Sequence, residues 1–228
     1  RGGSHVLQRI SRADVVLKLV ARRQPLPPTV RRRDYVWEIF AKRGVPSAAV
    51  NWWATSDERN GALISISPET IFVAAKADPL RLDAIAEQRF ASQNARFVTV
   101  YLPALDVILN RLDLDQSTKL ARSLRALDGI ARTVNDARAR GYDVVLVGLP
   151  GDGQRGKAVL ASNMNIAAGT AWNIAPALLE AMGFPASAEM PGAQHTSIAS
   201  YGPRKSRASA QTMNDEYYEN LKSLGYIR

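Results

Sequence analysis

The chain has 228 residues, 46% hydrophobic and 22% charged, which is enough apolar material for one buried core with an appendage and too much for a disordered chain. It carries no cysteine, which excludes disulfides, thiolate nucleophiles and thiolate metal sites, and no run reaches the ~18 consecutive apolar residues of a membrane span. The formal charge of +9 gathers early, from Arg9 to Arg33, and late, at Arg204, Lys205 and Arg207; no aromatic-basic interleaving or finger spacing accompanies it, so a solvated arginine face ranks ahead of nucleic acid.

In chain order, residues 4–22 have apolar positions at Val6, Leu7, Ile10, Val15, Leu17 and Leu19, a mostly helical spacing, and Pro25, Pro27 and Pro28 end that helix. Residues 1–30 therefore read as an amphipathic appendage with a Pro-rich linker, and 31–228 as one α/β domain. Residues 31–43 predict a second helix with Val36, Ile39 and Phe40 inward and Gly44 as its stop. A buried strand is expected over 47–53, and a short strand over 63–66 after the Asn60-Gly61 turn. Ser67-Pro68 and Asp78-Pro79 each pair a capping residue with proline at the first helical position, and the second opens a helix to about Ser92.

Phe97 begins a strand that runs to Leu102. Residues 115–140 form the longest expected helix, with Leu120, Leu124, Leu127, Ile130 or Ala131, and Val134 as its apolar stripe. The strand at 142–148 contains an uninterrupted apolar run, Val144 to Val147, of the kind covered on both faces. The strands around Val50, Val98 and Val145 are accordingly expected as neighbours in one largely parallel sheet, with the long helix packed on it. An edge strand at 158–162, a helix at 174–182 ended by Gly183, and a final helix at 214–224 complete the expected α/β fold.

Several segments, in order, carry a resemblance: Val50-Asn51-Trp52-Trp53-Ala54-Thr55, Tyr101-Leu102-Pro103-Ala104-Leu105-Asp106, Asn173-Ile174-Ala175-Pro176 with Gly183-Phe184-Pro185, Glu189-Met190-Pro191-Gly192, and the ending from Tyr217 to Tyr226. Together they resemble the alkaline-phosphatase superfamily, in particular its bacterial type I phosphodiesterase (nucleotide pyrophosphatase) and sulfatase-like branches. The resemblance implies a mostly parallel sheet between helical layers, one or two metal ions held by Asp and His side chains at strand ends, and a location outside the cytoplasm, in the periplasm or at a membrane. It also implies a nucleophile segment upstream of Trp52 that these residues do not supply. Because the chain opens on Arg-Gly-Gly, it is expected to be a piece of something longer, incomplete at the N-terminus.

The same resemblance exposes a loss. Asp106 matches a metal aspartate, but Asn110 stands at the His position, and Leu149-Pro150 replaces an Asp-His pair. An Asn amide is a poor substitute for imidazole at zinc, and Leu and Pro cannot ligate. No catalytic residue and no metal ligand set is therefore expected, only a vestigial cleft at Asp106, Asn110, Asp152 and Arg155. The run from Gly151 to Lys157 lacks the Gly-Lys-Ser/Thr ending of a phosphate-binding loop and reads first as a connector, with a small anionic ligand as the alternative. His195 reads as a solvent-exposed or structural loop residue, and Trp52 and Trp53 as core packing.

The leading expectation is thus a pseudoenzyme: a hydrolase-fold module without a competent metal site, serving as a binding or structural subunit of a larger protein or assembly, with no cofactor. Its alternative is an active metal-dependent phosphodiesterase, phosphatase or sulfatase, using zinc or another divalent metal, whose nucleophile lies upstream. The basic segments would suit an acidic protein partner or an anionic membrane surface.

Overall fold

A computed structural model of the chain describes residues 33–52, 55–76, 78–148, 159–164, 166 and 169–204. The expected helices at 4–22 and 214–224 and the linker at 24–28 lie outside the described residues.

Helix α1 (Val36–Lys42) starts where the Tyr35 backbone N–H donates to the Glu38 carboxylate across 2.7 Å, and stops before Gly44, whose φ of +80° suits a residue without Cβ. It leads into β1 (Ser47–Val50), every residue of which is buried. A hairpin follows: β2 (Glu58–Asn60) turns through Gly61 into β3 (Leu63–Ile66), antiparallel to it. Two capped helices come next, α2 (Pro68–Ala75) and α3 (Pro79–Ala91). Ser67 Oγ accepts the Thr70 N–H at 3.1 Å and Asp78 accepts the Leu80 N–H at 3.3 Å, each just ahead of the proline that the sequence marks.

The chain then crosses to β4 (Phe97–Val100). The main sheet has the order β2-β3-β1-β4, with β1 parallel to both β3 and β4; Ala48 lies opposite Ile64 on one side and Val98 on the other. Alternate residues of β1 serve opposite faces. Val50 packs among Ile71, Phe72 and Ala75 of α2 and Leu82 and Ala86 of α3, while Ala49 packs under Trp37 of α1. Helices therefore cover both faces of a mostly parallel sheet.

Beyond the sheet lie α4 (Ala104–Asn110) and α5 (Gln116–Ala139), then β5 (Val145–Gly148) and β6 (Val159–Ser162), a short 3-10 turn (Ala171–Asn173) leading into α6 (Ile174–Ala181), and the small parallel pair β7 (Ala186–Ser187) and β8 (Thr196–Ile198). Leu179 of α6 joins Ile39 and Phe40 of α1 in a second core under the α1 face.

Two sequence expectations are corrected. The Val145 strand is not a neighbour of the Val50 and Val98 strands. It pairs antiparallel with β6 in a separate two-stranded sheet. Asn163 sets this pairing: its Oδ1 accepts the Val144 N–H at 2.6 Å and its Nδ2 donates to Asp143 at 3.0 Å, so the apolar run takes a local partner and keeps one open face, with Leu146 exposed.

The long helix α5, for its part, packs on α3 and α4 instead of the sheet. Its buried stripe is Ser123, Ala126, Gly129 and Ala137, while Leu120, Leu124 and Leu127 are 63%, 53% and 47% exposed. The face turned to its neighbours is lined by small residues, and the Glu87 carboxylate stands over Gly129, where an added Cβ would come within 2.6 Å of Oε1.

That seam predicts the cost of enlarging it. Ala126 is 3% exposed among Ala104 and Ile108. Ala126→Leu is expected to destabilise the chain by about 1–3 kcal/mol through overpacking, read in denaturant as a lower midpoint with an unchanged slope.

Candidate functional site

In a parallel sheet, ligands gather outside the carboxyl ends of the strands, where loops and helix starts converge. Here that end is closed by polar side chains that serve the backbone. Asn51, directly after β1, has φ +63° and is 3% exposed; its N–H donates to Ile66 O at 2.9 Å and its Nδ2 donates to Tyr101 O at 2.8 Å, so one residue ties the ends of β1, β3 and β4. Asn tolerates the left-handed backbone that this requires better than most residues. Asp57 accepts the Ser67 N–H at 2.7 Å and also the Thr70 hydroxyl, holding the start of α2.

Trp52 does not form a platform for ligands. Its ring lies 5.2 Å from that of Trp37 and 5.6 Å from that of Tyr101, and its Nε1 donates to Thr99 Oγ1 at 3.1 Å, which makes it part of the core under α1. Trp53 lies outside the described residues.

Asp106 and Asn110 do come together. Both stand on α4, one turn apart, and Asn110 Nδ2 donates to Asp106 Oδ1 at 2.8 Å while Arg111 Nε lies 3.7 Å from Asp106 Oδ2. Asp106 is in the first turn of a helix, half-buried, and not at a buried strand end, because β4 finishes at Val100 and Pro103 already begins the helix. Asp152, Arg155, Leu149 and Pro150 lie outside the described residues, so the structure brings together only half of the expected cleft. His195 is exposed on the approach to β8.

The residues around Asp106 do not fit a metal. One carboxylate oxygen already accepts an amide and the other faces a guanidinium, and a cation would have to displace both. Among the described residues, no three His, Cys, Asp or Glu side chains form a group of metal-holding geometry. Among them, too, no helix is long and apolar enough to cross a membrane.

A polar cluster that sequence reasoning missed lies between α3, α4 and α5. Asp83, 3% exposed, accepts the Ala104 N–H on both oxygens, at 3.1 and 3.3 Å, and so caps α4, which has no side-chain cap of its own. Desolvation by burial pushes its carboxyl up to about 8, against the lowering effect of the Ala104 bond and with a further push from Glu87. Glu87 is also raised by burial, opposed by Arg132 and by a hydrogen bond with Thr133. The signal was available: Asp83 and Glu87 are four residues apart beside the apolar positions of α3, and a glycine sits mid-helix in α5 at the place that they meet.

The late loops are framework too. Asn173 Nδ2 donates to Gly192 O at 2.7 Å, Tyr201 donates its hydroxyl proton to Pro185 O at 2.5 Å, and Glu189 accepts from both Arg33 and Ser200. The chain matches no protein-family model, no curated protein and no solved structure.

Two predictions follow from this geometry. The folded state holds a proton on Asp83 up to about pH 8, whereas an unfolded aspartate releases it near its ordinary value of 3.8. Stability is therefore full below about pH 4 for this group and is lost as pH rises toward 8, with a slope of at most ~1.4 kcal/mol per pH unit. Asp83→Asn, which keeps an oxygen for the Ala104 N–H, is expected to flatten that slope in denaturation curves taken from pH 5 to 8.

Gly192 has φ +83°, and a Cβ there would stand 2.8 Å from Trp172 C and 2.9 Å from Asn173 N, both backbone atoms. Gly192→Ala is expected to cost about 2 kcal/mol or more, with thermal unfolding as the readout.

Proposed function

We propose that the chain is a degenerate module of the alkaline-phosphatase type, with the three-layer sandwich of that superfamily, that has lost its metal site and serves as a binding or structural part of a larger assembly. The observation that carries this reading is the state of Asp106. The carboxylate that the resemblance would assign to a metal is engaged by Asn110 and Arg111 within one helix. Supporting it, the polar residues at the carboxyl end of the sheet are directed to backbone groups: Asn51 to Tyr101 O, Asp57 to the Ser67 N–H and Asp83 to the Ala104 N–H. Side chains committed in this way orient loops; they are not poised to polarise a substrate or move its proton. A location outside the cytoplasm goes with the resemblance, and the basic segments support an acidic partner.

The test is metal analysis and hydrolysis on the same preparation. After incubation with zinc or manganese and exhaustive dialysis, the protein is expected to retain far less than one equivalent of metal, and added zinc is expected not to raise hydrolysis of bis(4-nitrophenyl) phosphate above the protein-free rate. Stoichiometric retention together with metal-dependent turnover that is lost in Asp106→Ala would overturn the reading and favour the active hydrolase.

A further inference from the structure

A second apolar stripe runs along α5, turned away from α3 and α4. Leu120, Leu124 and Leu127 are 63%, 53% and 47% exposed, and Ala131, next in line, is exposed as well. At ~3.6 residues per turn these residues fall within an arc of roughly 60°, about 130° round the helix from the buried Ser123, Ala126, Gly129 and Ala137.

Width and spacing both say what such a stripe fits. A helix face that fills a domain core is apolar over about 100° or more, whereas successive steps of about four, three and four residues in a narrow line make the a and d seam of a two-stranded coiled coil. Val134, half-buried, continues the same line. The stripe therefore has the form of a contact with one other helix.

The charges beside the seam select that helix. Arg125 and Asp128 are exposed on the flank that faces away from the buried stripe. When two copies of α5 lie antiparallel about a two-fold axis, a and d positions alternate across the seam, so Leu124 meets the partner's Leu127 and Leu120 meets the partner's Ala131. In that register Arg125 stands about 3 Å along the axis from the partner's Asp128, on the same side of the seam, and the two-fold axis repeats the pair. A surface that carries its own complement is what an isologous contact requires. Exposed ion pairs add little affinity, but these fix direction, because sliding one helix by a heptad separates them.

The area sets the strength. The seam is narrow and flanked by small residues such as Ala121, so the contact belongs to the weak class, below ~1,200 Å² of total buried surface.

We propose that two copies of this chain associate through α5, antiparallel about a two-fold axis, with Leu120, Leu124, Leu127 and Ala131 as the seam and Arg125 paired with the partner's Asp128. Nothing in this contact involves Asp106, so it stands or falls apart from the loss of a metal site.

Sedimentation velocity on the full chain tests this. The chain is expected to be monomeric near ~1 µM and largely dimeric by ~200 µM. Leu124→Glu, at a half-exposed position where circular dichroism is expected to show the fold intact, keeps it monomeric throughout. Arg125→Asp alone and Asp128→Arg alone bring like charges together and are expected to weaken the dimer about 3- to 10-fold, and the double variant Arg125→Asp/Asp128→Arg is expected to restore it, which a merely structural role would not do. A chain that stays monomeric at ~200 µM, its seam left to another protein or to a segment of its own, overturns the proposal. So does a dimer indifferent to Leu124→Glu, or one that the double charge reversal does not restore. Because the chain has no cysteine, a mixture of Leu124→Cys and Leu127→Cys chains supplies an independent check under oxidation. The mixed disulfide dimer is expected in excess over either dimer of like chains, and a predominance of Leu124→Cys joined to itself would mean parallel helices and overturn the pairing.

Discussion

The structure depends on one strand being covered from both sides. Ser47, Ala48, Ala49 and Val50 of β1 are at most 1% exposed, and nothing larger than valine stands among them. Small side chains let α1 close on one face while α2 and α3 close on the other, and parallel pairing to β3 and β4 fixes the register of both neighbours. The single hydroxyl in this strand is satisfied locally, Ser47 Oγ donating to Val45 O at 2.9 Å, so burial strands no polar atom of Ser47 there. Once β1 is fixed, the carboxyl ends of β3 and β4 are fixed with it, and Asn51 can reach both.

Several polar residues outside β1 act as joints in the same way. Asn51 turns the chain through a left-handed conformation, Asn173 grips Gly192, and Glu189 holds the entry of the chain through Arg33. Each answers a backbone or a charge that folding would otherwise leave exposed to loss of water. Joints of this kind are selected by backbone geometry, whatever chemistry a fold carries. Asp106 is likewise held by its own helix, through Asn110 and Arg111.

Local signals were legible in the sequence wherever one residue type has one cheap use. Ser67-Pro68 and Asp78-Pro79 marked two helix starts, Asn60-Gly61 marked a turn, and Leu63 to Ile66 marked the strand after it, because caps and turns are decided within four residues; the β2 arm of the hairpin was not marked. The failures concern which surface meets which. Hydrophobic periodicity in α5 identified the helix but named the wrong face, since close packing on α3 selects small residues while periodicity weighs leucine most. The Val144 to Val147 run was read as a central strand because apolar length does not reveal a partner, and Asn163, nearly twenty residues on, supplies one. For the candidate site, the pairing of Asp106 with Asn110 was visible as an i,i+4 spacing, but its setting on a helix was not, since the strand signal of residues 97–102 masked the helix start at Pro103. Asp83 went unnoticed because a buried aspartate looks like any surface aspartate until its neighbours are known.

The two faces of α5 lead to a further step. A helix at the surface of a globular domain has one apolar stripe and one polar side. α5 has two stripes of different character: Ser123, Ala126, Gly129 and Ala137 against its neighbours, and Leu120, Leu124 and Leu127 away from them. Each leucine is already about half covered, so covering the rest would add roughly 1 kcal/mol apiece. The small stripe sets how near α3 can come and the leucine stripe offers area to something else, which is the pattern of a helix held between two layers. Among the described residues the core is closed around β1, with β2 and β4 as the two edges of the main sheet.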